Sequence, residues 1–220
     1  MFSPETWKMI GLGVLETLYM AGFSTLFAYV FGLPWGIVLA VTDKEGINPK
    51  PAVYRVLDIV TNVMRSIPFL ILLILIIPLT RLIVGKSYGS TATIVPLVVS
   101  AAPFIARMVE SSLKEVDRGV IEAAQSMGAN TMIIVRSVLL VEARISLIVG
   151  VTISFATILG YSAMAGVVGG GGLGDIAIRY GYYRYQADIM VVTVLLLVAI
   201  VQIFQFVGMR IASALDRRKA

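Results

Sequence analysis

Charge is withheld from this chain in long blocks. No Asp, Glu, Lys or Arg occurs across residues 17–42, 66–80, 87–106, 145–174 or 189–209, runs of 26, 15, 20, 30 and 21 positions. A helix of about 20 apolar residues crosses a bilayer core. A backbone in lipid must satisfy its own hydrogen bonds, which leaves helices and closed barrels. Runs this long and this continuous read as helices, so an all-α membrane protein is expected. Five spans are placed at about 14–41, 57–80, 91–110, 144–166 and 188–211. Charged residues make up 14% of the chain, against roughly a quarter in soluble domains. No polar stretch is long enough to bury a core of its own, so residues 1–220 are read as one transmembrane domain.

Five spans put the two termini on opposite sides. Of the 18 Lys and Arg residues, 12 sort to one side: Lys44, Lys50, Arg55, Arg107, Lys114, Arg118, Arg136, Arg144, Arg210, Arg217, Arg218 and Lys219. Five sort to the other: Lys8, Arg81, Lys86, Arg179 and Arg184. Basic residues favour the cytoplasmic face, which predicts an outer N-terminus and a cytoplasmic "LDRRKA". The net charge of +5 is then assigned to cytoplasmic loops, not to a nucleic-acid partner. The opening "MFSPETWKMI" has neither a basic n-region nor a small-residue cleavage site and is not read as a signal peptide. Cysteine and histidine are both absent, which excludes disulfides, thiol or His-based catalysis, and Cys or His metal sites. No cofactor or metal is expected.

One segment in the middle is too polar to span. In "RGVIEAAQSMGANTMIIV", Asp117 is placed to cap a helix. Val116, Val120, Ala123 and Met127 recur at helical spacing as an apolar stripe. Gly128 is placed to end the helix in a left-handed conformation. Asn130 or Thr131 then caps a second helix, Met132 to Val138. The sidedness argument makes this helix–glycine–helix, within a loop of about 114–140, cytoplasmic. Its polar face is not strongly basic, which weakens a purely membrane-surface role.

Glu122-Ala123-Ala124-x-x-x-Gly128 in such a loop resembles the EAA motif in permease subunits of binding-protein-dependent bacterial ABC importers. "MRSIPF" (64–69), "SAAPFIARMVESSL" (100–113) and "GYSAMAGVVGGGGLG" (160–174) extend the likeness over roughly residues 15–212, and together resemble the methionine branch. The resemblance implies a homodimer, two separate ATPase subunits, and a periplasmic or lipid-anchored binding protein in the bacterial inner membrane. It implies that Glu122, Ala123, Ala124 and Gly128 belong to a coupling helix that docks on the ATPase. It also implies that the cargo is an amino acid, methionine or another, and that the chain itself performs no covalent chemistry. The family pattern continues ten positions past the glycine as Ile-x-Leu-Pro. Here it reads Val138-Leu139-Leu140-Val141, without the proline.

Met164, with Tyr161 and Ser162 in "GYSAMAG", is a candidate gate or path residue, since a flexible apolar side chain can plug a path between two copies. Gly166-x-x-x-Gly170 permits close helix approach. Arg65 lies inside an expected span and belongs either on the path or in a pair with Glu16, Asp58 or Glu110. Pro34, Pro68, Pro78, Pro96 and Pro103 suggest bends. Three other motifs are discounted. Gly85-Lys86-Ser87 lacks the first glycine of a phosphate loop. Gly169-x-Gly171-x-x-Gly174 has no preceding strand and is read as an irregular turn. Gly172-Leu173-Gly174-Asp175 fits an intramembrane aspartyl protease, which needs a second carboxylate; the candidate, Asp58, is expected at the opposite face.

Overall fold

A computed structural model describes residues 2–216. Arg217, Arg218 and Lys219 of the basic count lie outside that range. The described residues are helical throughout and contain no strand. Helix α1 spans Pro4–Thr42, and Gly46 to Lys50 fold back onto its end. Next come α2 (Pro51–Ser66), α3 (Phe69–Leu75), α4 (Ile77–Val84) and α5 (Ser90–Lys114). Helix α6 (Arg118–Ser126), α7 (Thr131–Ile133) and α8 (Leu140–Glu142) form the polar middle segment. Helix α9 (Arg144–Ala165) is followed by α10 (Gly172–Ile176) and α11 (Ala187–Leu215). Four helices, Pro4–Thr42, Ser90–Lys114, Arg144–Val168 and Ala187–Leu215, are long and apolar enough to cross a membrane.

The second expected span is corrected. Residues 57–80 are not one helix: α2 and α3 meet at a bend of 101°. Proline disfavours helical geometry in the residue before it, and Ile67 is extended at φ −79°, ψ 122°. A second interruption at Ile76 precedes α4, with Pro78 in its first turn. By contrast Pro34, Pro96 and Pro103 lie inside unbroken helices. Helix α1 starts ten residues earlier than expected. Ser3 caps it by accepting from the Thr6 amide, with Pro4 in its first turn, a start signal present in the sequence.

The core lies where α1, α5 and α9 meet. Met20, Ala28, Leu97, Ala101, Ile105, Val109, Ile158 and Ala165 are buried there. The α1–α5 contact is the most extensive in the chain, and two glycines make it close. A Cβ on Gly32 would lie 2.8 Å from the Ala102 carbonyl oxygen, and one on Gly36 would lie 2.5 Å from that of Ala106. Helix α11 is peripheral, burying only Ile189, Thr193 and Ala212, and packs on α9 through the stacked rings of Phe155 and Phe204.

These contacts sort the connections into two ends. At one end, Gly89 donates to Gly169, and the 169–173 loop meets Gly13, Glu16 and Thr17. At the other, Lys114 reaches Asp43, Arg118 reaches Glu45, Ser112 bonds Ser146, and Arg144 donates to the Leu215 carbonyl. The second end carries the basic-rich set expected to face the cytoplasm.

Candidate functional site

Helix α6 is built as the spacing predicts. The Asp117 carboxylate accepts from the Gly119 amide at 2.7 Å. At the far end Gly128 takes φ +81° with open space where a Cβ would lie, so the need for glycine is conformational, not steric. Gly128 N donates to Gln125 O and Ala129 N to Ala124 O, the paired bonds of a Schellman cap. Asn130, one of the two expected caps, accepts from the Ile133 amide at 3.0 Å. The following helix differs from expectation. After α7 it widens to a π-helical turn over Ile134–Leu139, whose Ile134, Val135 and Leu139 are buried. A single residue, Ala143 (φ −79°, ψ 0°), separates α8 from α9.

The expected apolar stripe is divided between two faces. Val116 packs on the core together with Ile121, Ala124 and Ala129. Val120 and Met127 point outward, Met127 82% exposed, with Glu122 and Ala123 also exposed. Met132 and Ile133 continue the exposed apolar surface. Ala124 is buried and its short side chain seats α6 against the bundle. The helix thus offers Val120, Ala123 and Met127, beside the Glu122 carboxylate, to something outside the chain.

At the opposite end, the glycine run folds the chain back on itself. A Cβ on Gly166 would lie 2.3 Å from the Gly174 carbonyl carbon, and one on Gly174 would lie 2.3 Å from the Ala163 oxygen. The Gly166 and Gly170 pair therefore serves packing within the chain. The loop is pinned from outside: Glu16 accepts from the Gly172 amide at 2.7 Å, Thr17 Oγ1 accepts from Leu173 at 2.9 Å, and Thr93 Oγ1 donates to the Gly170 carbonyl.

The three residues of "GYSAMAG" divide. Tyr161 stacks on Phe69 of α3 at 4.7 Å. Met164 is 47% exposed and lies on an uncovered side of α9 with Ile153 and Gly160. Ser162 is on the other side, buried, its hydroxyl donated to the Leu159 carbonyl. Arg65 sits exposed in the last turn of α2, just before the bend, and does not pair with the expected carboxylates. Glu16 caps the glycine loop, Asp58 pairs with Arg107, and Glu110 pairs with Arg107 and Lys114.

The protease motif fails on geometry. Asp175 pairs with Arg179 at 2.7 Å near Gly13, while Asp58 joins the cluster around Asp43. Thirty residues of α1 separate those ends, roughly 45 Å at 1.5 Å per residue. Gly85 is a left-handed helix cap, and Gly169, Gly171 and Gly172 have positive φ, which makes the glycine run the irregular turn anticipated. Asp43 lies outside the apolar helices. Its burial works to raise its pKa, but the Glu45 amide and the Lys114 ammonium outweigh that and hold it below 3.8.

Four helices long and apolar enough to cross a membrane, with an amphipathic helix exposed at one end, define a membrane component. The chain belongs to the family of binding-protein-dependent transport system inner membrane components, which it matches over residues 32–220. It is 50% identical over 203 residues to the "Probable D-methionine transport system permease protein MetI" of Vibrio cholerae, covering 92% of this chain and 90% of that one. It is 44% identical over 214 residues to the "Methionine import system permease protein MetP" of Bacillus subtilis, covering 97% and 95%. Among solved structures, one of the MetNI methionine ABC transporter in an inward-facing conformation superposes with a TM-score of 0.96 at 49% identity. That match covers 98% of this chain and all of the other.

Proposed function

We propose that this chain is the membrane-spanning subunit of a methionine ABC importer in the bacterial inner membrane. The likeness to methionine permeases over nearly the whole chain carries the reading. Two copies enclose a central path, two separate ATPase subunits bind at the basic-rich end, and a binding protein delivers methionine at the other. Each chain crosses the membrane five times, counting the bent α2–α3 pair with α4 as one crossing, and the basic-rich end faces the cytoplasm. Hydrolysis belongs to the partner; this chain supplies the moving walls.

Helix α6 is the coupling element. Val120, Ala123 and Met127 form a ridge that the rest of the chain leaves uncovered. Exposed apolar patches of this kind mark contact surfaces. Glu122 lends the ridge a charge for register, and Gly128 fixes the angle to the next helix. ATP-driven closure of the partners displaces α6 and switches the path between outward- and inward-facing states. Tyr161 and Met164 line that path, Met164 as the plug. Ser162 holds the α9 backbone that presents them, and Arg65 stands at the mouth on the α2 side.

Glu122→Lys tests the reading. In proteoliposomes carrying the ATPase and binding protein, methionine uptake should vanish while the subunit still inserts. Uptake at the unaltered rate overturns docking through α6. Because the chain contains no cysteine, Ser126→Cys adds a unique label site. It should react with an impermeant maleimide only from the cytoplasmic side.

A further inference from the structure

A chain of charged side chains runs from α6 to α2, and its members come from four elements. Arg118 at the start of α6 pairs with Glu45 in the loop after α1. The Glu45 amide donates to Asp43 Oδ1 at 2.9 Å. Asp43 Oδ2 accepts from Lys114 Nζ at 2.8 Å, and the same ammonium reaches Glu110 Oε1 at 2.7 Å. Glu110 accepts from Arg107 Nη1 at 2.7 Å and from the Tyr54 hydroxyl at 3.1 Å. Arg107 Nη2 closes the series on Asp58 and Asn62 of α2.

The spacing is what a mechanical link requires. Tyr54, Asp58 and Asn62 recur at four-residue intervals and share one face of α2. Arg107, Glu110 and Lys114 likewise share one face of α5. Glu110, at the centre, is 2% exposed, whereas Arg118 and Glu45 at the end are 68% and 59% exposed. Breaking a buried pair strands a charge and is expensive; exposed pairs are weak. The series is stiff in its middle and soft where it meets α6. Beyond Asn62, α2 reaches the bend at Ile67–Pro68, and the next residue, Phe69, stacks on Tyr161.

Resting on the importer reading, we propose that Asp58, Arg107, Glu110, Lys114, Asp43 and the Glu45–Arg118 pair form a strut. The strut makes α2 follow α6, so that motion imposed by the ATPase reaches the Phe69–Tyr161 contact on the path. These are positioning residues. They touch neither nucleotide nor cargo, and their loss disconnects hydrolysis from transport without stopping hydrolysis.

The test measures methionine uptake per ATP hydrolysed in proteoliposomes containing the whole complex. Asp58→Asn keeps the shape of the side chain and removes its charge. Glu45→Arg and Arg118→Glu each break the exposed link, and the two together restore it reversed. The single variants should lower uptake per ATP about threefold, the scale of one partly exposed pair, and the Glu45→Arg/Arg118→Glu double variant should recover it. Wild-type ratios in all three singles, or no recovery in the double variant, overturn the strut. A second readout needs no cargo. Spin labels at Val56→Cys on α2 and Ser126→Cys on α6 should keep one distance as nucleotide is added, and that distance should broaden with Asp58→Asn. A distance that shifts equally with and without Asp58→Asn also overturns it. Absence of methionine uptake by the unaltered complex, with the labels behaving as described, would instead refute the choice of cargo alone.

Discussion

Five glycines in α1 provide a controlled comparison within one helix. Gly11 and Gly22 have open space where a Cβ would go, whereas Gly36 faces the Ala106 carbonyl at 2.5 Å and Val109 Cβ at 2.6 Å. Carbon atoms pack best at roughly 3.5–4.0 Å, so Gly36→Ala forces about 1 Å of separation between α1 and α5. The obstructing atoms are backbone and a β-branched stem, neither of which can rotate away. Overpacking of this kind costs about 1–3 kcal/mol. Alanine returns about 1 kcal/mol of helix propensity, so Gly36→Ala is destabilising by up to about 2 kcal/mol. Gly22→Ala receives the propensity term alone and should be neutral or stabilising. For a chain of this size 1 kcal/mol moves Tm by about 2–4 °C. Thermal melts of the purified permease in detergent should place Gly36→Ala below wild type, by up to about 8 °C, and Gly22→Ala at or above it. Equal Tm values for the two variants would refute the claim that backbone proximity at Gly36 sets the α1–α5 crossing.

Gly128→Val must adopt φ +81° with a branched side chain, at a cost of about 1–2 kcal/mol. It should lower uptake through a misdirected α6 and lower Tm by about 2–8 °C. Met164→Ala removes the side chain proposed as the plug and should let methionine leak down its gradient in proteoliposomes without ATP; a tight vesicle would remove Met164 from the gate. Asp43 gives a pH signature. Its carboxyl is held below 3.8 in the folded chain, so its contribution is complete above that value and is lost as pH falls through the lowered pKa. Melting should show no Asp43-dependent slope between about pH 5 and pH 8. The acid limb should become shallower in Asp43→Asn, which should also melt lower at neutral pH for want of the Lys114 partner.

What could be read beforehand divides by the range of the interactions concerned. The Asp117 cap, the Gly128 turn and the Asn130 cap are decided by neighbours in sequence, and each appears where the spacing puts it. The four unbroken apolar helices follow from composition alone. The α1 start at Ser3-Pro4-Glu5 is equally local, yet Lys8 and Glu16 interrupt the uncharged run that marks the rest of the helix. The close approach at Gly32 and Gly36 is not among the expectations from sequence, because the residues they meet, Ala102, Ile105, Ala106 and Val109, lie some seventy residues further along and nothing in either stretch names the other.

The bend between α2 and α3 is the more instructive failure. Hydropathy averaged over residues 57–80 merges an amphipathic helix with an apolar one, and Ile67-Pro68 permits a break without dictating its angle. Two long-range contacts set the 101°. Arg107 holds Asp58 and Asn62 before the break, and Tyr161 holds the Phe69 ring after it. Helix α3 packs on α5 as well as on α9, so the bend lies against the bundle on both of its arms and no single contact dictates its angle. Its two anchors explain why Asp58 and Arg65, seven residues apart on one apparent span, behave so differently. Asp58 is locked to α5, while Arg65, at the edge of the hinge, keeps its charge in the open.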